Sequence, residues 1–413
     1  MAEKLTFPAG FLWGTAGAAH QVEGNNVNSD SWLLEHIPGS PFVEPSGDAC
    51  DHYHRYPDDI ALIASLGFNT YRFSIEWARI EPEEGEFSMA ELEHYRRMLA
   101  KCHEHGLTPI VTYHHFTSPR WFAAKGGWEV LGNAELFARY CERATAHLGD
   151  LIGAGCTLNE PNVGLLIQQM GFMPPDEKLA AAPFRAAAAK AAGSETFAAF
   201  PNCQQKPARD TFLKAHRLAF NAIKAGRGDF PVGMTLAMSD HQAVAGGEAV
   251  RDRVRHEVDD VFLDSARDDD FIGVQTYSRT RFGANGVLPA EPGVELTQMG
   301  YEFWPEALEA TIRYASHYTG RPVLVTENGI GTEDDTRRIE YVRRALHGVQ
   351  RCLADGIEVR GYCYWSIFDN FEWSQGYGPK FGLIAVDRTT QVRTLKPSAQ
   401  WLGSIAQANA LAE

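Results

Sequence analysis

Short runs of β-branched and aromatic residues alternate along the chain with longer stretches in which apolar residues recur at helical spacing. This alternation is typical of βαβ units built around a parallel sheet. The candidate strands are Phe11–Gly14, Thr70–Ser74, Pro109–Tyr113, Gly155–Leu158, Val232–Ala237, Phe271–Thr276, Val323–Thr326 and Val359–Trp365. The helical stretches between them are Asp58–Leu66, Met89–His105, Asn133–Ile152, Asp210–Lys224, Val250–Asp264, Trp304–Tyr318 and Thr336–Asp355.

Eight strands in regular alternation with helices favour an α/β fold closed as a (β/α)8 TIM barrel over an open doubly wound sheet. The chain has 413 residues, and such barrels range from about 200 to more than 400 residues as single domains. We therefore predict one catalytic domain over residues 1–413. About seventy residues separate the fourth and fifth strands, and they include the alanine-rich stretch PFRAAAAKAAGSETF. We interpret residues 164–208 as an elaborated loop after the fourth strand.

Composition narrows the possible partners and compartments. The chain has 38 basic and 53 acidic residues, a formal net charge of −15, so nucleic acid and anionic membrane surfaces are poor partners. No run of eighteen apolar residues predicts a membrane span, and the first residues lack the apolar segment of a signal peptide. Seven scattered cysteines without a CxxC pair are typical of a reducing compartment. We therefore expect a cytoplasmic protein, whose oligomeric state the sequence leaves open.

Polar and aromatic residues lie where nearly every predicted strand ends. In a barrel these strand ends meet at one opening, and catalytic residues collect there. The residues concerned are Gln21, Arg72, His114, His115, Asn159, Glu160, Tyr277, Glu327, Asn328, Trp365, Glu372 and Trp373. Each of them has an ordinary structural explanation, such as an ion pair or a core aromatic. Their convergence on one opening nevertheless indicates a binding site.

Two carboxyl groups at such an opening suit the cleavage of an acetal. One acid protonates the departing oxygen, while the second carboxylate attacks the carbon or activates water. Glu160 is held between Asn159 and Pro161 at a strand end, and apolar surroundings there would raise its pKa, as an acid catalyst requires. An inward-pointing Arg72 would keep Glu327 ionised. Aromatic side chains at the same opening suit sugar rings, whose C–H faces stack on π-systems.

Five blocks of the sequence carry a family resemblance. They are FPAGFLWGTAGAAHQVEGN, YRFSIEWARIEP, TLNEP, TENGI and WSIFDNFEWSQGYGPKFGLIAVD. In motif and order they resemble glycoside hydrolase family 1, the β-glucosidase and β-galactosidase family. The similarity extends from about Phe7 to about Lys396, and several blocks in one order are far more specific than TENG alone.

The resemblance implies a β-glycosidase, most simply a β-glucosidase, that hydrolyses terminal non-reducing β-D-glycosyl residues with retention by double displacement. Glu160 would be the acid/base and Glu327 the nucleophile, with carboxyl groups ~5–5.5 Å apart. Arg72 would support the nucleophile. The residues that it implies for binding the sugar are Gln21, His115, Asn159, Tyr277, Trp365, Glu372 and Trp373. No metal or organic cofactor is implied, and the expected partner is a small-molecule β-glycoside.

Three positions depart from the family pattern. Gln275 stands where the family usually has asparagine, two places before Tyr277, and we count it with Arg72 as a supporting residue. Phe116 replaces the tryptophan that commonly follows the binding histidine. Asn162 stands where an aromatic residue is frequent. We place the last two changes on the leaving-group side of the site.

Three alternatives would use the same scaffold. A 6-phospho-β-glycosidase is disfavoured because the Glu372 carboxylate would repel a phosphate. A non-catalytic sugar-binding barrel could lose either catalytic glutamate freely, whereas both are present. A transglycosylase transfers the sugar to an alcohol instead of water, and the sequence does not separate it from a hydrolase. The preference among glucoside, galactoside and fucoside is equally open.

Overall fold

In the computed structural model, which describes residues 5–170, 181–200, 203 and 205–411, eight parallel strands close into a barrel. The strands are β1 (Leu12–Gly17), β2 (Thr70–Ser74), β3 (Thr108–His114), β4 (Ala154–Asn159), β5 (Val232–Ala237), β6 (Phe271–Gln275), β7 (Val323–Asn328) and β8 (Val359–Trp365). Each strand pairs in parallel with its neighbours in sequence, and β8 pairs with β1. The predicted (β/α)8 fold is confirmed.

Helices follow the strands on the outside of the barrel. They are α1 (His52–Ser65), α2 (Met89–Glu104), α3 (Ala134–Leu148), α4 (Gln205–Lys224), α5 (Glu248–Arg255, a π-helical turn His256–Asp260, then Val261–Ser265), α6 (Ala307–Thr319), α7 (Asp335–Ala354) and α8 (Pro397–Ala408). The seven predicted helices correspond to α1–α7, whereas α8 has no counterpart among them. In α3 the buried residues Phe137, Tyr140, Cys141, Ala144 and Leu148 repeat at the spacing of one helix face.

Shorter elements surround the barrel. The additional helices are Ala19–Val22, Asp30–His36, Trp77–Ile80, Arg120–Ala124, Val163–Met170 and Ala182–Ala192. The additional strands form a three-stranded sheet of Asp240–Ala243, Arg279–Gly283 and Gly286–Val287, and two pairs, Leu5–Thr6 with Ala410–Leu411 and Ile384–Val386 with Arg393–Leu395. The segment 164–208, which was predicted to be an elaborated loop, contains helical residues. Its residues 171–180, 201–202 and 204 lie outside the described residues.

Alternation along the strands decides which side chains face the barrel interior. On β2, Tyr71 and Phe73 belong to the core cluster shared with the outer helices, so Arg72 between them points to the opposite face. On β7, Val325 belongs to the same cluster between the strands and the outer helices. Leu324 belongs instead to a second cluster, which includes Ala16, Ile110 and Trp365. The pairing of β7 with β6 and β8 shifts register after Val325, and such an irregularity re-aims the side chains that follow it.

All seven cysteines are buried and carry free thiols. Within the residues that the structure covers, every helix is too short or too polar to span a bilayer.

Candidate active site

A cavity of about 1500 Å³ opens at the carboxyl ends of the barrel strands. The predicted site residues that line it are His115, Glu160, Gln275, Tyr277, Glu327, Trp365, Glu372 and Trp373. Gln21, Arg72 and Asn159 lie next to these residues and hydrogen-bond to them. The structure therefore brings these eleven residues together. His114 and Asn328, which were also expected at the opening, do not line the cavity; His114 packs against Trp128 and Phe137, and Asn328 donates to Thr276 O. The cavity exceeds the usual size of a small-molecule site, roughly 300–1,000 Å³, so it has room for more than one sugar ring.

Both carboxylate oxygens of Glu327 have a hydrogen-bond donor. Arg72 donates from Nη1 to Oε1 at 2.6 Å, and the Tyr277 hydroxyl donates to Oε2 at 2.6 Å. Arg72 is itself held by Thr112 Oγ1 and by the carbonyl oxygen of Thr326. The Glu327 side chain is thus fixed in one orientation by two strong, charge-assisted contacts.

The pKa of Glu327 results from two opposed effects. Burial raises the pKa, and Arg72, Tyr277 and Gln275 act to lower it. The net direction is upward, so burial outweighs the cation, contrary to the simple expectation from the sequence. The expected contact with Arg72 is nevertheless present, and it moderates the rise.

Glu160, the residue directly after β4, lies in a different environment. Its backbone N–H donates to Thr235 O at 2.9 Å, which ties the start of the loop to β5. Burial raises the pKa of Glu160 well above its usual value, and the negative charges of Glu327 and Glu372 raise it further. The contacts of Arg72 and Tyr277 favour the ionised form of Glu327, whereas the negative charges next to Glu160 favour its protonated form. These opposite preferences are the ones that an acid beside a nucleophile requires.

Asn159 connects the two sides of the site. Its Oδ1 atom accepts hydrogen bonds from Arg72 Nη2 at 2.5 Å, Gln275 Nε2 at 3.1 Å and Thr235 Oγ1 at 3.3 Å. Its Nδ2 atom lies 3.2 Å from Nε2 of His115. Burial and the Arg72 charge hold the pKa of His115 well below its usual value, so the imidazole is neutral and accepts from Asn159. The longer amide of Gln275 therefore contacts Asn159, and a side-chain hydrogen bond from Gln275 also lowers the pKa of Glu327.

The opposite wall carries Trp365, Glu372 and Trp373. The Trp365 ring lies nearly parallel to that of His115, at 21° and 5.6 Å between centroids. Gln21 donates from Nε2 to Phe371 O at 2.7 Å and to Glu372 Oε2 at 3.4 Å. Burial, with the negative charge of Glu327, raises the pKa of Glu372 to about 8.

Several buried polar atoms face the site without a protein partner. Within the described part of the chain, Gln21 Oε1, His115 Nδ1 and Gln275 Oε1 have no hydrogen-bond partner. Such an unpaired atom costs about 1–3 kcal/mol. Hydroxyl groups both donate and accept hydrogen bonds, so they are suitable partners for atoms of all three types.

Three residues of the cavity wall have unfavourable backbone conformations. Phe116, Glu160 and Trp373 have φ values of 69°, 46° and 49°. For residues other than glycine these left-handed conformations cost of order 1–3 kcal/mol and are concentrated at functional sites. The contacts around each side chain must therefore hold it in place.

The sequence placed Asn162 on the leaving-group side, and the structure corrects this. Asn162 is fully buried. Its Nδ2 donates to the carbonyl oxygens of Ala237 and Val258 at 2.7 and 3.2 Å, and its Oδ1 accepts from the Ala237 N–H at 3.1 Å. The short amide satisfies the backbone at the end of β5, so it fastens the loop after β4 and lines no part of the cavity described here.

Apolar side chains line the part of the cavity next to Glu160. The sequence motifs did not predict most of these residues. Phe116 stacks on Phe200 at 4.7 Å and 19°. Val163, Leu166 and Met238 also line the cavity. The Val163 N–H donates to Glu160 O at 3.0 Å, which places this helix one turn after the acid. Only Phe116 carried a sequence signal, because it interrupts a family motif.

Chemistry that depends on a metal would need a ligand cluster. Among residues 5–170, 181–200, 203 and 205–411, no group of three or more His, Cys, Asp or Glu side chains is arranged to hold a metal ion. The polar groups of the cavity form two hydrogen-bonded sets. One surrounds Glu327 and consists of Arg72, Asn159, His115, Gln275 and Tyr277, and the other joins Gln21 to Glu372.

Comparisons with known proteins agree with this geometry. The family model for glycosyl hydrolase family 1 matches residues 3–219 and 267–411. The thermostable β-glucosidase B of Thermobispora bispora is 32% identical, over 99% of this chain and 92% of that protein. The crystal structure of β-glycosidase BGL167 is 59% identical with a TM-score of 0.93, covering 98% of each chain. The apo structure of β-glucosidase 1317 is 48% identical with a TM-score of 0.91, covering 96% and 98%.

Proposed function

The chain belongs to glycosyl hydrolase family 1, and we propose that it is a retaining β-glucosidase in which Glu327 is the nucleophile and Glu160 the acid/base. The observation that carries the proposal is the contrast between these two carboxyl groups in one cavity. Arg72 and Tyr277 donate to both oxygens of Glu327. Glu160 holds its proton more tightly because burial and neighbouring negative charges raise its pKa well above the usual value.

The first displacement follows from this division of roles. Glu327 attacks the anomeric carbon while Glu160 donates its proton to the glycosidic oxygen, so the C–O bond breaks and the alcohol departs. A glycosyl ester forms on Glu327. Arg72 and Tyr277 hold the carboxylate in position and stabilise its charge in the free enzyme.

In the second displacement Glu160 acts as a base instead of an acid. Glu160, now ionised, removes a proton from a water molecule that attacks the same carbon and releases Glu327. Two inversions at one carbon give net retention. The product sugar leaves as the β-anomer, and Glu160 has regained its proton.

We assign the sugar-binding role to the polar network on the other side of the cavity. Gln21, His115 and Glu372 would bind hydroxyl groups, and the unpaired atoms of Gln21 and His115 support this assignment. Asn159, held in a fixed orientation by Arg72, would contact the 2-hydroxyl next to the reacting carbon. Trp373 would bind a further hydroxyl through its indole N–H. Trp365 would lie under the ring as the floor.

The leaving-group side supports a more specific substrate class. The acid must contact the departing oxygen, so the aglycone lies next to Glu160. The side chains there include the stacked pair Phe116 and Phe200 together with Val163 and Met238. These side chains contact aromatic and alkyl groups well, and polar side chains such as Gln168, Gln169 and Glu257 line other parts of the cavity. We therefore propose β-glucosides with apolar aglycones as preferred substrates.

The product anomer tests the proposed reaction. We expect the protein to hydrolyse 4-nitrophenyl β-D-glucoside and proton NMR to show β-glucose forming before mutarotation. Appearance of the α-anomer first would contradict the double displacement. Absence of 4-nitrophenol release would contradict the proposal that the protein is a hydrolase. Addition of methanol would separate transfer from hydrolysis, because a transglycosylase would give mainly methyl β-glucoside.

A further inference from the structure

A buried ion pair lies behind the sugar-binding wall of the cavity. His20 Nε2 lies 2.7 Å from Oε1 of Glu35, and both side chains are fully shielded from solvent. The second oxygen of Glu35 accepts hydrogen bonds from the backbone N–H and the hydroxyl of Ser46, at 2.9 and 2.7 Å. No motif in the sequence had pointed to this pair. Glu35 is therefore a fixed anchor for the imidazole.

The His20–Glu35 pair contributes little net stability to the fold. Removing two charges from water carries a large desolvation penalty, and apolar residues of similar size often stabilise a core as well. Stability alone therefore does not account for this pair.

The His20 ring lies parallel to the indole of Trp373. The two planes differ by 4° and the centroids are 5.7 Å apart. Trp373 also lies within 17° of parallel to His115, at 6.2 Å. Trp373 has a positive φ of 49°, a strained conformation that its surroundings must maintain. His20 is thus one of three rings, with His115 and Phe116, that hold this indole in place.

The same short helix, Ala19–Val22, carries a second residue of the wall. Gln21 follows His20 directly, and its amide donates to Phe371 O and Glu372 Oε2. A shift of His20 would therefore be transmitted in two directions, through the stacked ring to Trp373 and through the backbone to Gln21.

The charges around His20 favour the imidazolium form. Burial lowers the pKa of His20, but the negative charge of Glu35, with smaller contributions from Glu76 and Asp30, outweighs it and raises the pKa above its usual value. The rings that face His20, Trp373 and Phe371, are neutral. A cation within about 6 Å of an indole centroid is attracted to the ring face.

The other ring nitrogen accommodates this proton. His20 Nδ1 lies 3.1 Å from Nδ2 of Asn26. Oδ1 of Asn26 has no hydrogen-bond partner among the described residues. Turning the Asn26 amide end for end would place Oδ1 against a protonated Nδ1 and satisfy both atoms.

We propose that His20, anchored by Glu35, is a positioning residue that orients the Trp373 indole and the Gln21 amide at the sugar-binding wall and so sets the affinity for the glycone. The inference rests on the proposed function, because Trp373 and Gln21 matter only if this wall binds the sugar. His20 touches no reacting atom. Its loss should therefore weaken binding more than it slows the chemical step.

Two variants and a matched control test the inference by steady-state kinetics with 4-nitrophenyl β-D-glucoside. His20→Phe keeps a planar ring and removes the charge and the hydrogen bond, and Glu35→Gln removes the charge of the anchor. We expect each to raise KM roughly three- to thirty-fold, with kcat within about twofold of the wild type. The control is His216→Phe, because His216 also pairs with a buried aspartate, Asp269, at 3.1 Å, away from the cavity wall.

The control variant should lose thermal stability without a rise in KM. An unchanged KM in both test variants, or an equal rise in KM for His216→Phe, would overturn the inference.

The pH dependence of KM supplies a second readout. Because the pKa of His20 is raised, its charge is present at low pH and lost as the pH rises through that pKa. Wild-type KM should rise in the alkaline range, and the rise should be smaller in His20→Phe, in which only other groups such as Glu372 titrate. An alkaline rise of equal size in the two proteins would overturn the inference. A wild type that hydrolyses no β-glucoside would instead overturn the proposed function itself.

Discussion

Arg72 on β2 and Glu327 on β7 form a buried ion pair in which Nη1 lies 2.6 Å from Oε1. A buried pair of this kind contributes little net stability because both ions lose their hydration. It does fix one orientation of the carboxylate, which is what attack on a bound sugar requires. Burial raises the pKa of Glu327, and the arginine limits that rise. The pair therefore sets the pH at which the nucleophile is available.

Replacing Arg72 should move the acidic limb of the pH–rate profile. Without the cation the pKa of Glu327 rises further, so the ionised nucleophile appears only at higher pH. We expect Arg72→Met to lower kcat/KM by roughly 100-fold or more and to shift the limb to higher pH, with partial recovery in Arg72→Lys. Arg338, another fully buried arginine, pairs with Asp335 instead. Arg338→Met is the control and should leave the limb where it is; an unmoved limb in Arg72→Met would refute the role.

The Tyr277 hydroxyl offers a smaller perturbation of the same carboxylate. Tyr277→Phe removes the 2.6 Å hydrogen bond to Glu327 Oε2 and leaves the ring in place. A hydrogen bond to a charged group contributes about 1.5–3 kcal/mol, so kcat/KM should fall roughly ten- to hundred-fold. The matched control is Tyr113→Phe, which loses a buried hydroxyl contact, 2.7 Å to Thr145, away from the cavity. Equal losses in the two variants would show that the Tyr277 effect is only structural.

Removal of Glu160 should discriminate between leaving groups. Glu160→Ala lacks the acid, and only a poor leaving group needs a proton to depart. We expect the first step to slow by roughly 10²–10⁴ for an alkyl β-glucoside and by much less for 2,4-dinitrophenyl β-D-glucoside, as measured by pre-steady-state release of the phenol. Equal losses for both substrates would contradict the acid role.

The apolar wall predicts a preference that one variant can reverse. Phe200→Ala removes half of the aromatic pair with Phe116. An aromatic pair contributes about 0.5–1.5 kcal/mol beyond the area buried, so kcat/KM for 4-nitrophenyl β-D-glucoside should fall roughly three- to ten-fold. Methyl β-D-glucoside, which has no ring to place there, serves as the internal control. A parallel loss for both glucosides would remove the support for an aryl-binding wall.

Much of the fold was predictable because each strand carries its own local signal. All eight predicted strands occur, yet β1 runs to Gly17 where Gly14 was expected to end it. Ala16 and Gly17 lack the bulk of typical strand residues, but β8 and β2 pair with them in the closed barrel. Strand β7 likewise continues past Thr326 to Asn328 through a register shift. Tertiary pairing decides both boundaries, and no local propensity reports it.

Some residues of the candidate site could likewise be predicted from the sequence, and others could not. Residues at strand ends and in motifs, such as Glu160 and Glu327, could be named from the sequence because the barrel brings strand ends together. Phe200 and His20 could not be named. Phe200 meets Phe116 from a segment 84 positions away, and His20 acts through a ring near the other end of the chain. Contacts of this kind exist only after folding.

Covalent trapping of the nucleophile tests the central claim most directly. Incubation with 2,4-dinitrophenyl 2-deoxy-2-fluoro-β-D-glucoside slows the second displacement, so the glycosyl enzyme should accumulate and activity should be lost. Peptide mass mapping should then place a single fluoroglucosyl group on Glu327, within the segment VTENGI. A label on Glu160, Glu372 or any other carboxyl group, or continued turnover without a label, would contradict the assignment of Glu327 as the nucleophile.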